Sequence, residues 1–167
     1  MTGELKYTTF NTDMGWVGIL ASASGLLATS LPQQSRDEAH QQLGERVNQA
    51  TWSPGSFPGL IGRLKAYFCG DDGVTFPDGL DLPAATSFQY HVWEATRLIP
   101  YGETRSYLWV ATQIDKPGAV RAVGQALGRN PLPVIVPCHR VIANDGSPGG
   151  FGGGLELKQR LLNLEAR

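Results

Sequence analysis

The sequence predicts an α+β fold, in which a small N-terminal α/β domain is followed by a mostly helical C-terminal domain. Short strand-like segments separated by turn residues, such as KYTTF and WVGILAS, stand at the beginning of the chain. The stretch FPDGLDLPAATS, residues 76–87, is rich in helix breakers and lacks periodicity. Apolar residues at helical spacing dominate after it. These observations predict domains at residues 1–80 and 81–167.

Length and composition exclude several classes of protein. With 167 residues, 41% of them hydrophobic, the chain can bury a core. No apolar run approaches the roughly 20 residues of a transmembrane helix, and MTGELKYTTFNTDMGW lacks the features of a signal peptide. The two cysteines, Cys69 and Cys138, are too few for a disulfide framework and show no CxxC spacing. We therefore expect a soluble, cytoplasmic protein without membrane contact.

The charges are distributed unevenly although the net charge is only -1. Residues 1–87 hold five basic and nine acidic side chains, whereas residues 88–167 hold nine basic and six acidic ones. A polyanion is therefore expected to contact the second half of the chain.

The first domain is predicted to contain a sheet and two helices. KYTTF and WVGILAS form a hairpin across the turn-rich NTDMG, and SGLLATSLP adds a strand. SRDEAHQQLGERV follows with a serine cap and acidic residues in its first turn, and GLIGRLKAYFCG forms a helix that ends at glycine. The apolar positions of the first helix are Ala39, Leu43 and Val47.

The second domain is predicted to begin with a helix in SFQYHVWEATRLIP. Ser87 can cap this helix and Pro100 ends it, after which YGETRS forms a turn. The residues expected on its apolar face are Phe88, Val92, Trp93, Thr96 and Ile99.

Two short helices, SYLWVATQI and GAVRAVGQALGRN, are joined by DKPG in the manner of a helix-turn-helix. Arg121 and Arg129 project from the second helix, whose small side chains allow close backbone approach to another surface. Tight helix packing with solvated arginines is the alternative explanation. The small residues are Ala119, Ala122, Gly124, Ala126 and Gly128.

The reactive side chains lie in PVIVPCHRVI, residues 133–142, within a mostly extended, glycine-rich segment. A cysteine reacts as its thiolate, which apolar flanks disfavour and a neighbouring base or cation favours. His139 and Arg140 provide both, although direct contact between Cys138 and His139 would need a local turn, so a relay through water is equally plausible. Glu165 and Asp145 are candidates for the carboxylate that orients the imidazole. Glu165 lies in the closing helix LELKQRLLNLEAR, whose apolar residues are Leu155, Leu161, Leu162 and Leu164.

Several motifs in order resemble the C-terminal domain of the O6-alkylguanine-DNA alkyltransferases, the methylated-DNA-protein cysteine methyltransferases. They are PYGETRSY, AVRAVGQALGRN, NPLPVIVPCHRVI and GGFGGGLELKQRLLNLE, with their spacing kept from residue 86 to 166. The resemblance implies an RNase H-like fold for the N-terminal domain, which carries no specific motif of its own.

The resemblance also implies roles for individual residues. Cys138 would accept the alkyl group, His139 would be a base acting through water, and Glu165 would polarise it. Tyr107 would donate a proton to guanine, Arg121 would fill the gap left by a flipped nucleotide, and Asn130 would tie the recognition helix to the active-site segment. Arg140 would be structural, and the loop from Gly149 to Gly154 would close over the base. Further contacts to DNA would come from Ser106, Ala122, Gly124 and Arg129, and the substrate pocket would include Val141, Phe151, Gly152 and Gly153.

The implied reaction is a stoichiometric, irreversible transfer of an alkyl group from O6 of guanine, or from O4 of thymine, to Cys138. A desolvated sulfur anion and a proton donor suit this displacement, and the target base must leave the duplex. The implied protein is a single-turnover methyltransferase and monomer that binds double-stranded DNA, needs no cofactor and is associated with the nucleoid if the source is prokaryotic.

Two other functions are compatible with parts of the pattern. Relatives without the acceptor cysteine only bind alkylated DNA, but Cys138 is present here. A Cys-His hydrolase would need an oxyanion hole and a separated base, for which the sequence has no motif. Phe151 and Gly152 stand where many relatives have other residues, which bears on pocket size. No metal site is expected, because Cys69 suits a buried apolar position and His40 and His91 suit solvated helix positions.

Overall fold

The computed structural model describes residues 4–147, 149 and 154–167 and divides the chain into two compact units. Unit 1 is Met1–Pro83 and unit 2 is Ala84–Arg167. The division lies within the breaker-rich segment, three residues beyond the boundary that the sequence predicted.

Unit 1 is built on a four-stranded mixed sheet with the order β3-β2-β1-β4. Strand β1 pairs antiparallel with β2, β2 pairs antiparallel with β3, and the edge strand β4 is parallel to β1. The first three strands confirm the prediction, whereas β4 consists of two exposed residues that carry no pattern. The strands are β1 (Lys6–Thr12), β2 (Gly15–Ser22), β3 (Gly25–Thr29) and β4 (Thr51–Trp52).

Helices cover the sheet of unit 1, so that β2 is buried along most of its length. Helix α1 (Arg36–Gln42) begins at the predicted cap, where the Ser35 hydroxyl accepts a hydrogen bond from the Glu38 amide. Helix α2 (Pro58–Phe68) packs against β1. Gly18 lies close to α1, since a Cβ there would be 2.9 Å from Leu43 Cδ1 and would displace that side chain.

Hydrogen bonds hold the segment after α2 against the rest of unit 1. Arg63 binds the Asp78 carboxylate through two hydrogen bonds of 2.6 and 2.9 Å. Leu26 donates to Gly79, and Ser22 hydrogen-bonds to the Asp81 carboxylate at 2.5 Å. These contacts explain why the division lies beyond residue 81.

Unit 2 contains four helices around a short parallel pair of strands. The helices confirm the mostly helical character predicted for this half of the chain. They are α3 (Ser87–Thr96), α4 (Tyr107–Gln113), α5 (Val120–Gly128) and α6 (Leu155–Glu165), and the strands are β5 (Arg105–Ser106) and β6 (Val141–Ile142).

Helix α3 begins one residue earlier than predicted and packs against the helix-turn-helix formed by α4 and α5. Thr86, and not Ser87, caps it, because Gln89 at the third helical position exchanges two hydrogen bonds with Thr86 and completes a capping box. The Trp93 indole donates to the Ala126 carbonyl at 2.9 Å. This bond and the buried Val123 and Leu127 fix one face of α5 and leave the opposite face exposed.

Candidate active site

A 3₁₀ turn, Cys138–Arg140, carries the three reactive side chains. The Cys138 amide donates to Val136 at 2.7 Å, and the Arg140 amide donates to Pro137 at 2.9 Å. The extended segment expected from the sequence is therefore interrupted by a turn at its reactive residues. Cys138 is 9% exposed and His139 is fully buried.

The carboxylate that contacts His139 is that of Glu165, at the end of α6. His139 Nε2 lies 2.6 Å from Glu165 Oε2, although the two residues are 26 positions apart. The other sequence candidate, Asp145, is exposed and accepts hydrogen bonds from its neighbour Ser147. Glu165 is therefore the orienting group, and Asp145 stabilises its own turn.

The Glu165 carboxylate is ionised despite its burial. Burial raises the pKa of Glu165, but the hydrogen bond from His139 and the hydrogen bonds and positive charge of Arg140 outweigh burial and hold it well below its usual range. Burial, together with the charges of Arg140 and Lys158, lowers the pKa of His139 although Glu165 opposes the shift. The imidazole is thus neutral at pH 7 with its proton on Nε2, which leaves Nδ1 as the proton acceptor.

Asn130 joins the end of α5 to the reactive turn. Its side-chain nitrogen donates to the Val136 carbonyl at 3.0 Å and to Cys138 Sγ at 3.3 Å. Its oxygen accepts from the Leu132 amide at 2.9 Å. The position of the thiol is therefore tied to the second helix of the helix-turn-helix.

Lys158 is a site residue that the sequence analysis missed. Its side chain is fully buried, and Nζ donates to the Val141 carbonyl at 2.7 Å. The expected apolar face of α6 was wrong in part, because Leu155 is 54% exposed. The signal was present, since Lys158 and Glu165 lie on the same helix face as Leu161.

The charge of Lys158 acts on the thiol. Burial raises the pKa of Cys138, whereas the hydrogen bond from Asn130 and the charge of Lys158 oppose the increase without cancelling it. Burial lowers the pKa of Lys158, and Cys138 opposes that decrease. The resting cysteine is therefore a thiol in an environment that offers some stabilisation to its anion.

Tyr107 stands at the start of α4, close to the glycine-rich segment. A Cβ at Gly149, where φ is +70°, would lie 2.6 Å from the Tyr107 hydroxyl, so glycine permits a close approach there. The Tyr107 ring also faces Gly124 of α5, and Ser106 caps α4 by accepting from the Trp109 amide. Val141 is fully buried in β6. Phe151, Gly152 and Gly153, predicted for the pocket, lie outside the described residues.

The free face of α5 carries the two predicted arginines. Arg121, Ala122, Gln125 and Arg129 are all exposed, while Gly124 is half-buried. The spacing of the three long side chains, four residues apart, aligns them along the helix. The structure thus places flexible hydrogen-bond donors beside small residues on one surface.

Other predicted features lie away from this site. Cys69 is exposed, which corrects the expectation of a buried thiol. His91 is exposed, whereas His40 is half-buried, its ring 5.0 Å from that of Tyr7. The described ranges contain no group of three or more His, Cys, Asp or Glu side chains that could hold a metal ion. None of the helices in those ranges is long and apolar enough to cross a membrane.

The fold and the site together define a class, that of helix-turn-helix proteins with a cysteine next to a buried histidine-carboxylate pair. Residues 87–167 match the family model described as 6-O-methylguanine DNA methyltransferase, DNA binding domain. The methylated-DNA-protein-cysteine methyltransferase of Mycobacterium tuberculosis is 42% identical over 161 residues, which cover 96% of this chain and 92% of the relative. The chain belongs to the O6-methylguanine-DNA methyltransferase family, which confirms the identification from sequence motifs.

Solved structures agree with this assignment. A crystal structure of M. tuberculosis OGT in complex with DNA superposes with a TM-score of 0.80 at 43% identity, covering 96% of this chain and 92% of that one. The O6-methylguanine-DNA methyltransferase of the archaeon Pyrococcus kodakaraensis has a TM-score of 0.69 at 25% identity, with coverage of 98% and 99%. The α+β fold class is therefore confirmed along nearly the whole chain.

Proposed function

We propose that this protein repairs DNA by transferring an alkyl group from O6 of guanine to Cys138. The observation that carries the proposal is a buried turn that holds Cys138 next to His139, whose imidazole contacts the buried Glu165 carboxylate. Asn130 ties this turn to the second helix of the helix-turn-helix. His139 and Glu165 are joined at 2.6 Å, and Asn130 binds the thiol at 3.3 Å. Family membership supports the same reaction.

The bond changes require one base and one acid. The Cys138 thiol proton passes through a bridging water to His139 Nδ1, and the sulfur forms a bond to the alkyl carbon as its bond to O6 breaks. The electron pair of that bond remains on guanine, which takes a proton from Tyr107, and the phenol recovers one from solvent. Lys158 stabilises the developing thiolate. The product is a thioether and a restored guanine, so each molecule reacts once and needs no cofactor.

The exposed face of α5 would hold the duplex. Arg121 occupies the space of the flipped nucleotide, while Ser106, Ala122, Gly124 and Arg129 contact the surrounding backbone. Val141 and the segment with Phe151, Gly152 and Gly153 would border the base. We expect the protein to act as a monomer in the cytoplasm, on double-stranded DNA that contains O6-alkylguanine or O4-alkylthymine.

The test is the intact mass of the protein after incubation with duplex DNA that contains one O6-methylguanine, without added cofactor. We expect a stoichiometric gain of one methyl group, located on Cys138 by peptide mapping, and none in Cys138→Ser. Cys69→Ser is the matched control and should react like the wild type. Tight binding to the lesion without a change in mass would instead support a protein that only binds alkylated DNA.

The role of Arg121 is tested separately from the chemistry. Arg121→Ala should react with duplex DNA about tenfold more slowly or worse, since base flipping costs a few kcal/mol, while its reaction with free O6-benzylguanine should be unchanged. Gln113→Ala, an exposed change at the end of α4, is the control. Equal losses on both substrates would show that Arg121 supports the fold and not flipping.

A hydrolase is disfavoured by the backbone at the thiol. An oxyanion hole next to a nucleophile commonly uses a backbone amide that is available to the substrate. The Cys138 amide already donates to the Val136 carbonyl at 2.7 Å. Turnover of thioesters or peptides is therefore not expected.

A further inference from the structure

The guanidinium of Arg140 makes three hydrogen bonds, two of them to the Glu165 carboxylate. Its Nε lies 2.8 Å from Glu165 Oε1 and its Nη2 lies 3.0 Å from Glu165 Oε2, which is a bidentate pair. Its Nη1 donates to the Ile99 carbonyl at 2.8 Å. The side chain is only 11% exposed, so solvent screens these contacts weakly.

The arginine completes a set of donors around Glu165. Oε1 accepts from Arg140 and from the Gly102 amide at 3.1 Å, while Oε2 accepts from Arg140 and from His139 Nε2. With two donors on each oxygen, the carboxylate can neither rotate nor take up a proton without losing a hydrogen bond. The direction in which His139 points is therefore set through Glu165.

We propose that Arg140 is a positioning residue for the transfer reaction, which keeps Glu165 ionised and oriented so that His139 donates from Nε2 to Glu165 and keeps Nδ1 as its basic nitrogen. The proposal rests on the proposed function and deepens it. It also changes the expectation from the sequence, in which Arg140 was only structural. Arg140 does not touch the substrate and acts through Glu165.

The charges around His139 predict the direction in which its pKa changes when Arg140 is removed. Glu165 is negative, Arg140 and Lys158 are positive, and Cys138 is neutral at rest. Positive neighbours disfavour the imidazolium form, in agreement with the lowered pKa of His139, to which burial contributes most. Removing Arg140 leaves one positive neighbour instead of two, so His139 becomes protonated at a higher pH and ceases to be a base there.

The experiment measures the rate of reaction with free O6-benzylguanine from pH 5 to 9 in the full-length protein, for the wild type, Arg140→Met and Arg140→Lys. Nearby charges shift a pKa by about one unit or more, so the acidic limb of the Arg140→Met profile should move up by about one pH unit. Arg140→Lys keeps the positive charge but cannot form the bidentate pair with Glu165, and the acidic limb of its profile should shift by less. Arg97→Met is the matched control, because Arg97 is similarly covered, at 16% exposure, and pairs with Glu94 in the same unit.

Nitrogen-15 NMR of the imidazoles in the same variants reports on His139 directly. The wild-type ring should be neutral and protonated on Nε2, and in Arg140→Met it should become protonated at a higher pH. A folded Arg140→Met protein with lower stability, an unshifted pH profile and an unchanged His139 signal would overturn the proposal. If Arg140→Met does not fold, Arg140→Gln, which also removes the positive charge, replaces it, and an unshifted profile and an unchanged His139 signal in that variant would overturn the proposal.

The two proposals fail in distinguishable ways. If wild-type Cys138 accepts no alkyl group from either DNA or O6-benzylguanine, the proposed function is wrong. The NMR titration then still shows whether Arg140 controls the protonation of His139. If the wild type reacts and neither variant shifts, only the role of Arg140 is wrong.

Discussion

The two units differ in what their interiors contain. Among the described residues, the buried polar side chains of unit 1 include the neutral hydroxyls of Thr8, Thr29 and Ser30, whereas those of unit 2 include the ionisable groups of His139, Lys158 and Glu165. Burying an ionisable group costs free energy that a hydrophobic replacement would avoid. The interior of unit 1 therefore serves stability, and part of the interior of unit 2 serves chemistry.

The two thiols show the same contrast. Cys69 of unit 1 is exposed, and Asp13, through a hydrogen bond and its charge, raises the pKa of that thiol. Cys138 of unit 2 is buried, and burial itself raises its pKa. The accessible cysteine lies beside a carboxylate whose charge disfavours its thiolate, while the covered one lies next to a histidine-carboxylate pair.

The largest effect on stability is expected from the core of unit 1. Ile19 is fully buried, so Ile19→Ala should lower the free energy of unfolding by about 2–5 kcal/mol, measured by urea denaturation. The rate of alkyl transfer per folded molecule should not change. Trp52→Ala, at a site that is 61% exposed, is the control and should cost less than about 1 kcal/mol. A lower transfer rate per folded molecule in Ile19→Ala would contradict the conclusion that the interior of unit 1 serves stability and not chemistry.

Lys158→Met should have the opposite consequences. Loss of the charge near the thiol should slow single-turnover transfer by about 10- to 100-fold, because one unit of pKa in Cys138 corresponds to about tenfold in thiolate. Stability should be unchanged or higher, as is often found when a buried charge gives way to an apolar side chain. Lys65→Met, an exposed change on α2, controls for the substitution. An unchanged rate with a large loss of stability would show that Lys158 is structural.

Alkylation by iodoacetamide compares the two cysteines directly. In the folded protein at pH 7, Cys69 should be modified more than about tenfold faster than Cys138, because Cys138 reacts with a bulky reagent only after local opening. The difference should vanish in urea. Raising the pH toward 9 should speed the modification of Cys69, as its thiolate becomes populated. Peptide mapping gives both rates. If Cys138 of the native protein were modified as fast as Cys69, Cys138 would not be buried in solution.

The smallest effect is expected at the surface of unit 1. Arg63 pairs with Asp78 while the two side chains are 33% and 20% exposed, so solvent screens the pair. Arg63→Ala should lower the free energy of unfolding by about 0.5–1 kcal/mol and leave the transfer rate unchanged. Arg46→Ala, an exposed arginine in the same unit, is the control. A change in transfer rate would show that the segment held by Arg63 influences unit 2.

Local patterns in the sequence were sufficient for most elements of the fold. Alternation and turn residues identified β1 to β3, and periodicity identified α2, α3 and α5, because these signals come from neighbours a few residues apart. Local patterns failed where two adjacent residues could play the same structural role. Thr86 and Ser87 can both cap a helix, and only the reciprocal bond from Gln89 selects Thr86.

Burial was the property that local patterns predicted least well. Leu155, one of the apolar residues of α6, is exposed, while Lys158, a charged residue of the same helix, is buried. Cys69 was expected inside and lies outside. The face of α6 that packs against the reactive turn decides the first two cases, and Lys158 and Glu165 share that face with Leu161.

The sequence by itself determined the family, the order of the elements and the identity of the reactive triplet, because these are written in contiguous residues and motif spacing. Only the tertiary structure decided which carboxylate meets His139, how Arg140 closes around it and which cation lies near the thiol. Glu165 is 26 residues from His139, and Lys158 is 17 residues from the carbonyl that it binds. Distances of a few ångströms between such residues result from packing α6 against the turn, where burial strengthens each charge and hydrogen bond.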